Sequence, residues 1–324
     1  MKTLIKVLKI AIPLSLGLYL AYYSFASIED KDKVGQVLSR ANYLFIFLSI
    51  LFSWLSHYAR SARSQILLEP MGYKTSVWNN YHAVMVGYFM NLLLPRAGEI
   101  SRAGVMTRTE KVPFEKAFGA IIAERVIDVI MLATISLITI GMQYSKFELL
   151  WGHINEMKTN QGSSGSSPWF FYVLIVLGVL ALGAMVLYVV HKGFRSKING
   201  LIKGLMDGLL TIIKLKKRWQ FIGYTFLIWF LYIALYLICF YSIEETSGLE
   251  LKGLMLGFLG GSIGIILVQG GIGVYPVMVA TALALYGADR DIVIALGWVV
   301  WAAQTILLIV AGAVSFYVLS KKAV

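Results

Sequence analysis

The chain has 324 residues, of which 58% are hydrophobic and 14% are charged, and its formal net charge is +12 at pH 7. Soluble globular domains are about 45–50% apolar, so this composition excludes that class and predicts an integral membrane protein. The basic residues lie in loops between apolar runs, with no separate basic domain, which argues against a nucleic-acid partner. One cysteine and four scattered histidines predict neither a disulfide framework nor a metal site.

The first predicted element is an apolar helix from Ile5 to Phe25. Ser24-Phe25-Ala26 resembles the cleavage site of a signal peptide, but we expect an uncleaved helix because the repeat described below requires it. The second predicted helix is Ala41–Ala59, and Arg60 and Arg63 follow it. These arginines either anchor the helix at the membrane interface or serve as secondary phosphate ligands. Five further runs are long and apolar enough to cross a bilayer: Ala41–Ala59, Phe118–Gly141, Trp169–Val190, Trp219–Tyr241 and Asp291–Leu319.

Two other apolar segments are broken. Val77–Leu94 stops at Pro95, and Lys252–Tyr286 is interrupted by Gln269-Gly-Gly-Ile-Gly-Val-Tyr-Pro276. Lys and Arg accumulate in cytoplasmic loops, which places both chain termini and the loops 96–116 and 191–218 in the cytoplasm. The acidic loop 244–250 then lies outside. With these loops fixed, each broken segment must enter and leave the membrane on one side, as a re-entrant helical hairpin.

Each half of the chain therefore reads helix, helix, re-entrant segment, helix, and the two halves have opposite orientation. Half one is residues 1–142 and half two is residues 169–324, joined by an external linker, residues 143–168, that is rich in Gly and Ser. The predicted fold class is an all-α polytopic membrane protein, with one membrane domain over residues 1–324. It is an inverted repeat with six full transmembrane helices and two re-entrant helical hairpins. Paired broken segments in corresponding positions indicate the central site of a transporter.

Charged residues are concentrated after the first break and in the apolar run that follows it. An ionisable side chain at membrane depth is costly unless it faces a partner or a water-filled cavity. Within this set, Glu124 and Asp128 share one helix face, and Arg125 can pair with Asp128 three residues later. The pattern fits either a structural ion-pair cluster or a cavity wall that receives a headgroup, and both interpretations stay open. The set comprises Arg96, Glu99, Arg102, Glu124, Arg125 and Asp128.

Other residues at the two breaks are candidates for binding or gating. Arg96 and Arg102 are expected to bind phosphate, unless they are ordinary cytoplasmic charge, and Glu99 is expected to balance them. Asn91 either satisfies exposed backbone at the break or contacts the ligand, and Tyr275 either contacts a headgroup or packs in the core. Glycines permit a turn at membrane depth. The predicted gate residues are Pro95, Gly98, Gln269, Gly270, Gly271, Gly273 and Pro276.

Three motifs, in the order in which they occur along the chain, resemble those of the flippase-like family, which is the transmembrane region of lysylphosphatidylglycerol synthases. The resemblance rests on Asn91-Leu-Leu-Leu-Pro-Arg-Ala-Gly-Glu99 with Arg102, on Glu124-Arg125 with Asp128, and on Gly270-Gly-Ile-Gly-Val-Tyr275. It implies movement of a modified or polyprenyl-linked lipid between the leaflets of a bacterial or archaeal cytoplasmic membrane. Gln269 departs from the family pattern, in which we expect proline. The soluble aminoacyl-transferase domain of the synthases is not in this sequence, so lipid aminoacylation is not expected.

The sequence thus predicts a translocase for a phosphate-bearing lipid, with a membrane lipid as its partner and no cofactor. Two alternatives remain: a non-transporting scaffold for a partner glycosyl- or acyltransferase, and a carrier of small anions. No Walker loop, metalloprotease helix or nucleophile elbow occurs, so we expect no enzyme activity. Asp30-Lys-Asp32 and Asp289-Arg-Asp291 have the spacing of a metal-binding acidic pair, which is a weak signal for a glycosyltransferase.

Overall fold

The structure is a computed structural model. It describes residues 15, 17–94, 97–144, 191, 193, 195–196, 199 and 215–321. Outside these residues lie Pro95 and Arg96, most of the predicted linker, the predicted helix Trp169–Val190 and the start of the first predicted helix. The chain divides into two units, Met1–Thr139 with Leu215–Val324, and Ile140–Lys214. All contacts discussed below lie within the first unit.

Every regular element in the described ranges is a helix, which confirms the all-α prediction. A helical stretch, residues 17–26, comes first, and single helical turns occur at Glu69–Met71, Glu244–Ser247 and Gln269–Gly271. The longer helices are α1 (Lys31–Ser39), α2 (Tyr43–Leu68), α3 (Val77–Leu93), α4 (Ala97–Glu110), α5 (Phe114–Met142), α6 (Arg218–Phe240), α7 (Leu251–Leu267), α8 (Val274–Ala284) and α9 (Arg290–Lys321).

Polar side chains start several of these helices. The Asp30 carboxylate accepts the backbone N–H of Lys33 at 2.8 Å, and Asn42 accepts that of Leu44 at 3.1 Å. At α9, Asp289 accepts the N–H of Ile292 at 3.2 Å. Such caps satisfy donors that the first helical turn leaves unpaired.

Two helices of the described part, α6 and α9, are long and apolar enough to cross a membrane. Lys31–Ser39 and Tyr43–Met71, which are bent by 77° at their break, supply a third crossing if the pair counts as one broken span. The α6 and α9 spans coincide with the predicted runs Trp219–Tyr241 and Asp291–Leu319. The count of six crossings stays a prediction.

Helices α3 and α4 form an antiparallel hairpin around the break at residues 95–96. Near the break, the Asn91 side chain accepts the backbone N–H of Gly98 at 2.8 Å, and at the far end Asn79 donates to Glu110 at 2.6 Å. A Cβ on Gly98 would clash with the carbonyl oxygen of Gly87, so the two backbones are in contact. The expectation that residues 77–94 alone would dip and return was wrong. That segment is one unbroken helix, and its antiparallel partner is α4, which occupies residues 97–110 of the predicted cytoplasmic loop.

Helices α7 and α8 form a second antiparallel hairpin, whose seam is lined by glycines. A Cβ on Gly261 would lie 2.6 Å from the Tyr275 ring, and one on Gly253 would lie 2.7 Å from the Tyr286 ring. A Cβ on Gly260 would lie 2.9 Å from the Met278 carbonyl oxygen. Small residues at such positions let helix backbones approach closely in membranes.

The end of α3 contacts the turn of the second hairpin. Leu92, near the end of α3, lies 3.7 Å from the position of a Cβ on Gly270. Helix α9 packs on both hairpins, because Trp301 Nε1 donates to the Gly270 carbonyl oxygen at 2.6 Å while Gly312 packs directly against Phe89 of α3.

Helices α2 and α6 pack against each other in opposite directions. The backbone N–H of Asn42, at the start of α2, donates to the carbonyl of Ser242, after the end of α6, at 2.8 Å. Toward the other end, the Arg63 guanidinium lies over the Phe221 ring, 5.5 Å from its centroid. These are the predicted second helices of the two halves, now placed side by side.

Candidate functional site

A cluster of five charged side chains is buried between α2, α4 and α5. We call it the inner cluster: Arg60, Arg63, Arg102, Glu124 and Asp128. Three cations and two anions therefore share one apolar surrounding. Since an unpaired charge in such a place is very costly, the pairing within the cluster decides whether the fold is stable.

Asp128 holds the two arginines of α2. Its Oδ2 accepts from Arg60 Nη1 at 2.7 Å, and its Oδ1 accepts from Arg63 Nη2 at 2.9 Å. The second terminal nitrogen of each arginine donates to α6, Arg60 Nη2 to the Tyr232 hydroxyl at 3.0 Å and Arg63 Nη1 to the Thr225 hydroxyl at 3.3 Å. Asp128 of α5 is thereby linked directly to α2 and, through the two arginines, to α6.

Glu124 holds the arginine of α4. Arg102 donates to both carboxylate oxygens of Glu124, at 3.0 and 2.9 Å, which is the bidentate geometry that favours arginine. Arg102 also donates to the Ser64 hydroxyl at 2.9 Å, and Arg63 lies 3.9 Å from Glu124. The Glu124 side chain is 0% exposed. Both terminal nitrogens of Arg102, predicted as a phosphate ligand, are thus already bonded to protein groups.

Arg125 and Glu99 form an outer pair with much looser contacts. Arg125 Nε lies 3.7 Å from Glu99 Oε1, and Arg125 Nη1 lies 3.8 Å from Asp128 Oδ2, both beyond hydrogen-bond distance. Nε of Arg125 is buried and makes no hydrogen bond to any described residue. The Arg125 side chain is 38% exposed and that of Glu99 is 26% exposed. The Nε atoms of Arg60, Arg63 and Arg102 are also buried without a hydrogen bond to a described residue, but those side chains are only 3%, 0% and 4% exposed. Of these four arginines, Arg125 is therefore the one whose side chain a ligand can reach.

The outer pair lies on the wall of an open recess beside the turn of the first hairpin. The recess is small: its free volume is about 10 Å³, which is room for about one water molecule. It is lined by Val84, Gly87, Tyr88, Asn91, Gly98, Glu99, Arg102, Ile121 and Arg125. The structure thus brings five predicted site residues, Asn91, Gly98, Glu99, Arg102 and Arg125, to one recess.

The second break has the expected turn. Gly270, Gly271 and Gly273 have φ values of +69°, +69° and +71°, in the left-handed region that favours glycine. Pro276 is buried in the first turn of α8, where a Cβ on Gly297 of α9 would lie 2.9 Å from its Cα. These residues build the turn and dock it on α9.

Other predicted site residues are not at the recess. Tyr275 is buried in the seam of the second hairpin against Gly261, and no described contact joins it to the inner cluster. Pro95, Arg96 and the side chain of Gln269 lie outside the described part of the chain.

Arg60 and Arg63 occupy a different place from the one expected. Helix α2 does not end near Ala59 but continues to Leu68, so both arginines lie within it and are buried. A phosphate could reach them only by displacing Asp128. Their partners on α6, which follow more than 150 residues later, could not be found from sequence spacing.

The acidic pairs at 30–32 and 289–291 do not form a metal site in the described residues. Asp30 and Asp289 cap α1 and α9, and Lys33 forms an ion pair with Asp289. Asp291 accepts the backbone N–H groups of Glu29 and Asp30 at 2.8 and 3.2 Å. The two motifs fasten the start of α1 to the start of α9.

Apolar helices of spanning length, packed around a buried charged cluster, define a helical integral membrane protein. The chain belongs to the family described as the lysylphosphatidylglycerol synthase TM region, which matches residues 7–312. The resemblance inferred from the three motifs is therefore confirmed.

A relative is found in an archaeon. The chain is similar to the UPF0104 membrane protein MJ1595 of Methanocaldococcus jannaschii, with 29% identity over 113 residues. This stretch covers 34% of the present chain and 34% of the relative, so the match spans about a third of the relative's length. No solved structure matches the chain.

Proposed function

We propose that the protein moves a phosphate-bearing lipid, anionic, modified or polyprenyl-linked, between membrane leaflets. The observation that carries the proposal is the recess between α3, α4 and α5, where the Arg125 side chain is 38% exposed and both of its carboxylate contacts are longer than a hydrogen bond. Hydrogen bonds from arginine to phosphate are among the strongest in proteins, and the guanidinium remains charged at any physiological pH. The recess therefore has the chemistry to attract an anionic headgroup.

The inner cluster supports the same proposal by holding Arg125 in place. Asp128 lies near Arg125 and is itself fixed by Arg60 and Arg63. A binding group is effective when neighbouring residues fix its position before the ligand arrives. In this scheme the ion-pair interpretation and the cavity interpretation are compatible, because the inner cluster is structural and the outer pair meets the ligand.

The contact between α3 and the turn of the second hairpin supplies the gate. Leu92 of α3 packs on Gly270, which Trp301 holds through a hydrogen bond of 2.6 Å. Separation of α3 from this turn would open the recess toward the second hairpin and give the headgroup a path. The lipid tails would stay outside, against apolar helix faces.

The proposed topology is an inverted repeat of six crossings and two re-entrant hairpins, in a bacterial or archaeal cytoplasmic membrane with both termini in the cytoplasm. The opposite directions of α2 and α6 support it, as does the contact between α3 of the first hairpin and the turn of the second. Labelling of single cysteines placed near each terminus in sealed cells would test the orientation.

Reconstitution into vesicles tests the transport itself. Purified protein is incorporated with a trace of fluorescent phosphatidylglycerol, and dithionite quenching reports how much label reaches the outer leaflet. Arg125→Gln should slow lipid movement by about tenfold or more, since a hydrogen bond to a charged group contributes about 1.5–3 kcal/mol. Arg108→Gln is the matched control, because Arg108 lies on α4 but is exposed and does not line the recess. Equal rates for both variants would remove Arg125 from the mechanism.

The same vesicles distinguish the alternatives. A scaffold for a glycosyl- or acyltransferase would move no lipid and would copurify with its enzyme. A carrier of small anions would take up radiolabelled inorganic phosphate while the fluorescent lipid stays in place.

A further inference from the structure

The described charges of the site do not cancel. The inner cluster and the outer pair together contain four arginines, Arg60, Arg63, Arg102 and Arg125, against three carboxylates, Glu99, Glu124 and Asp128. One negative charge brought by a ligand would neutralise this set. A second would leave an uncompensated anion in a poorly hydrated place, which is costly.

Glu99 is the carboxylate that a ligand on Arg125 would meet. It lines the same recess, is partly exposed, and lies 3.7 Å from Arg125 Nε. The other two carboxylates are occupied by close hydrogen bonds from the inner arginines. A phosphate bound to Arg125 would therefore lie within a few ångströms of the Glu99 charge, where like charges repel each other strongly.

We infer that Glu99 is a specificity-determining residue that limits the headgroup to a phosphodiester with a single negative charge and rejects a phosphate monoester. This inference rests on the proposed function, since it names the charge of the lipid that the recess would take. A phosphodiester carries one negative charge, which balances the excess of four arginines over three carboxylates at the site. A monoester carries close to two charges above a pH of about 6, so its second charge faces Glu99.

The test is equilibrium binding of two short-chain lipids to the detergent-purified protein at pH 8. Dioctanoyl phosphatidylglycerol is the diester probe, and dioctanoyl phosphatidic acid is the monoester probe. The wild type should bind the diester more tightly. Glu99→Gln should shift the affinity ratio toward the monoester by about tenfold, the order expected for removing one nearby like charge at a partly exposed site. Glu99→Asp should keep the wild-type ratio, and so should Glu115→Gln, which removes an exposed carboxylate in the first turn of α5.

A second arm needs no variant. At pH 5 the monoester loses most of its second charge, so the wild-type preference for the diester should disappear. An unchanged preference at pH 5, or an unchanged ratio in Glu99→Gln, would overturn the inference. A rise in the affinity for both lipids by the same factor would also overturn it, because it would show general attraction without discrimination.

Failure of transport can be recognised separately. If the ratios shift as expected but wild-type vesicles move no lipid, the charge selection stands as a binding property and the proposed translocation fails. If vesicles move phosphatidylglycerol while Glu99→Gln leaves the ratio unchanged, translocation stands and the selection by Glu99 fails.

Discussion

Replacement of Asp128 by asparagine should destabilise the protein severely, although the two side chains have nearly the same shape. Asp128 accepts the shortest bonds of Arg60 and Arg63, at 2.7 and 2.9 Å, and these arginines are 3% and 0% exposed. The substitution leaves no cavity, so the loss of charge is the only large change. Breaking a buried ion pair from one side costs about 3–5 kcal/mol, because the remaining charge stays buried without its partner.

The unfolding temperature reports this cost. At about 2 °C per kcal/mol for a chain of this size, Tm should fall by about 6–10 °C. Cys239 provides the signal, because its buried thiol becomes accessible to a thiol-reactive dye only when the helices separate.

An exposed ion pair of the same length is the matched control. Lys217 and Glu69 are also 2.7 Å apart, but their side chains are 48% and 39% exposed. Such a pair contributes about 0–1 kcal/mol, so Glu69→Gln should change Tm by no more than about 2 °C. If Asp128→Asn were as stable as Glu69→Gln, the inner cluster would not be the structural centre described above.

Two further predictions concern the first hairpin and the contact between the start of α1 and the start of α9. Gly98→Val should weaken the α3–α4 contact and lower Tm by several degrees, since its Cβ would meet the Gly87 carbonyl oxygen, whereas Gly104→Val on the same helix has open space and should be tolerated. A normal Tm for Gly98→Val would contradict the close approach of the two helices. The ion pair with Lys33 holds the pKa of Asp289 below its ordinary range. Its contribution to stability is therefore present above a pH of about 4 and is lost as the pH falls through the lowered pKa. Asp289→Asn should remove that part of the acid dependence of Tm, and an identical pH profile would refute it.

The charged cluster shows how far the sequence alone could lead. The four-residue spacing of Glu124 and Asp128, in an apolar run, correctly indicated that both carboxylates face polar partners. It could not identify those partners, because they come from two other helices, α2 and α4. Helix α2 was predicted to end before Arg60, since arginine usually marks the end of an apolar run. In the structure the helix continues to Leu68, because Asp128 neutralises the buried arginines.

The first hairpin was only half predicted. Pro95 marked the break, but the charges of residues 96–116 suggested a cytoplasmic loop. Their spacing held a helical signal: Arg102, Ala103 and Met106 are buried on one face of α4. The sequence analysis gave more importance to the positive charges than to this helical spacing and therefore predicted a loop. In the fold, Glu124 neutralises Arg102, so the segment forms a helix with a buried face.

Helix α9 has a consequence for how the protein could work. It touches the second hairpin at Trp301 and the first at Gly312, positions about 16 Å apart along its axis. A rocking of this one rod about a point between them would push one hairpin inward while drawing the other outward. In the proposed transport, this tilting of a single helix would expose the recess alternately on the two sides of the membrane.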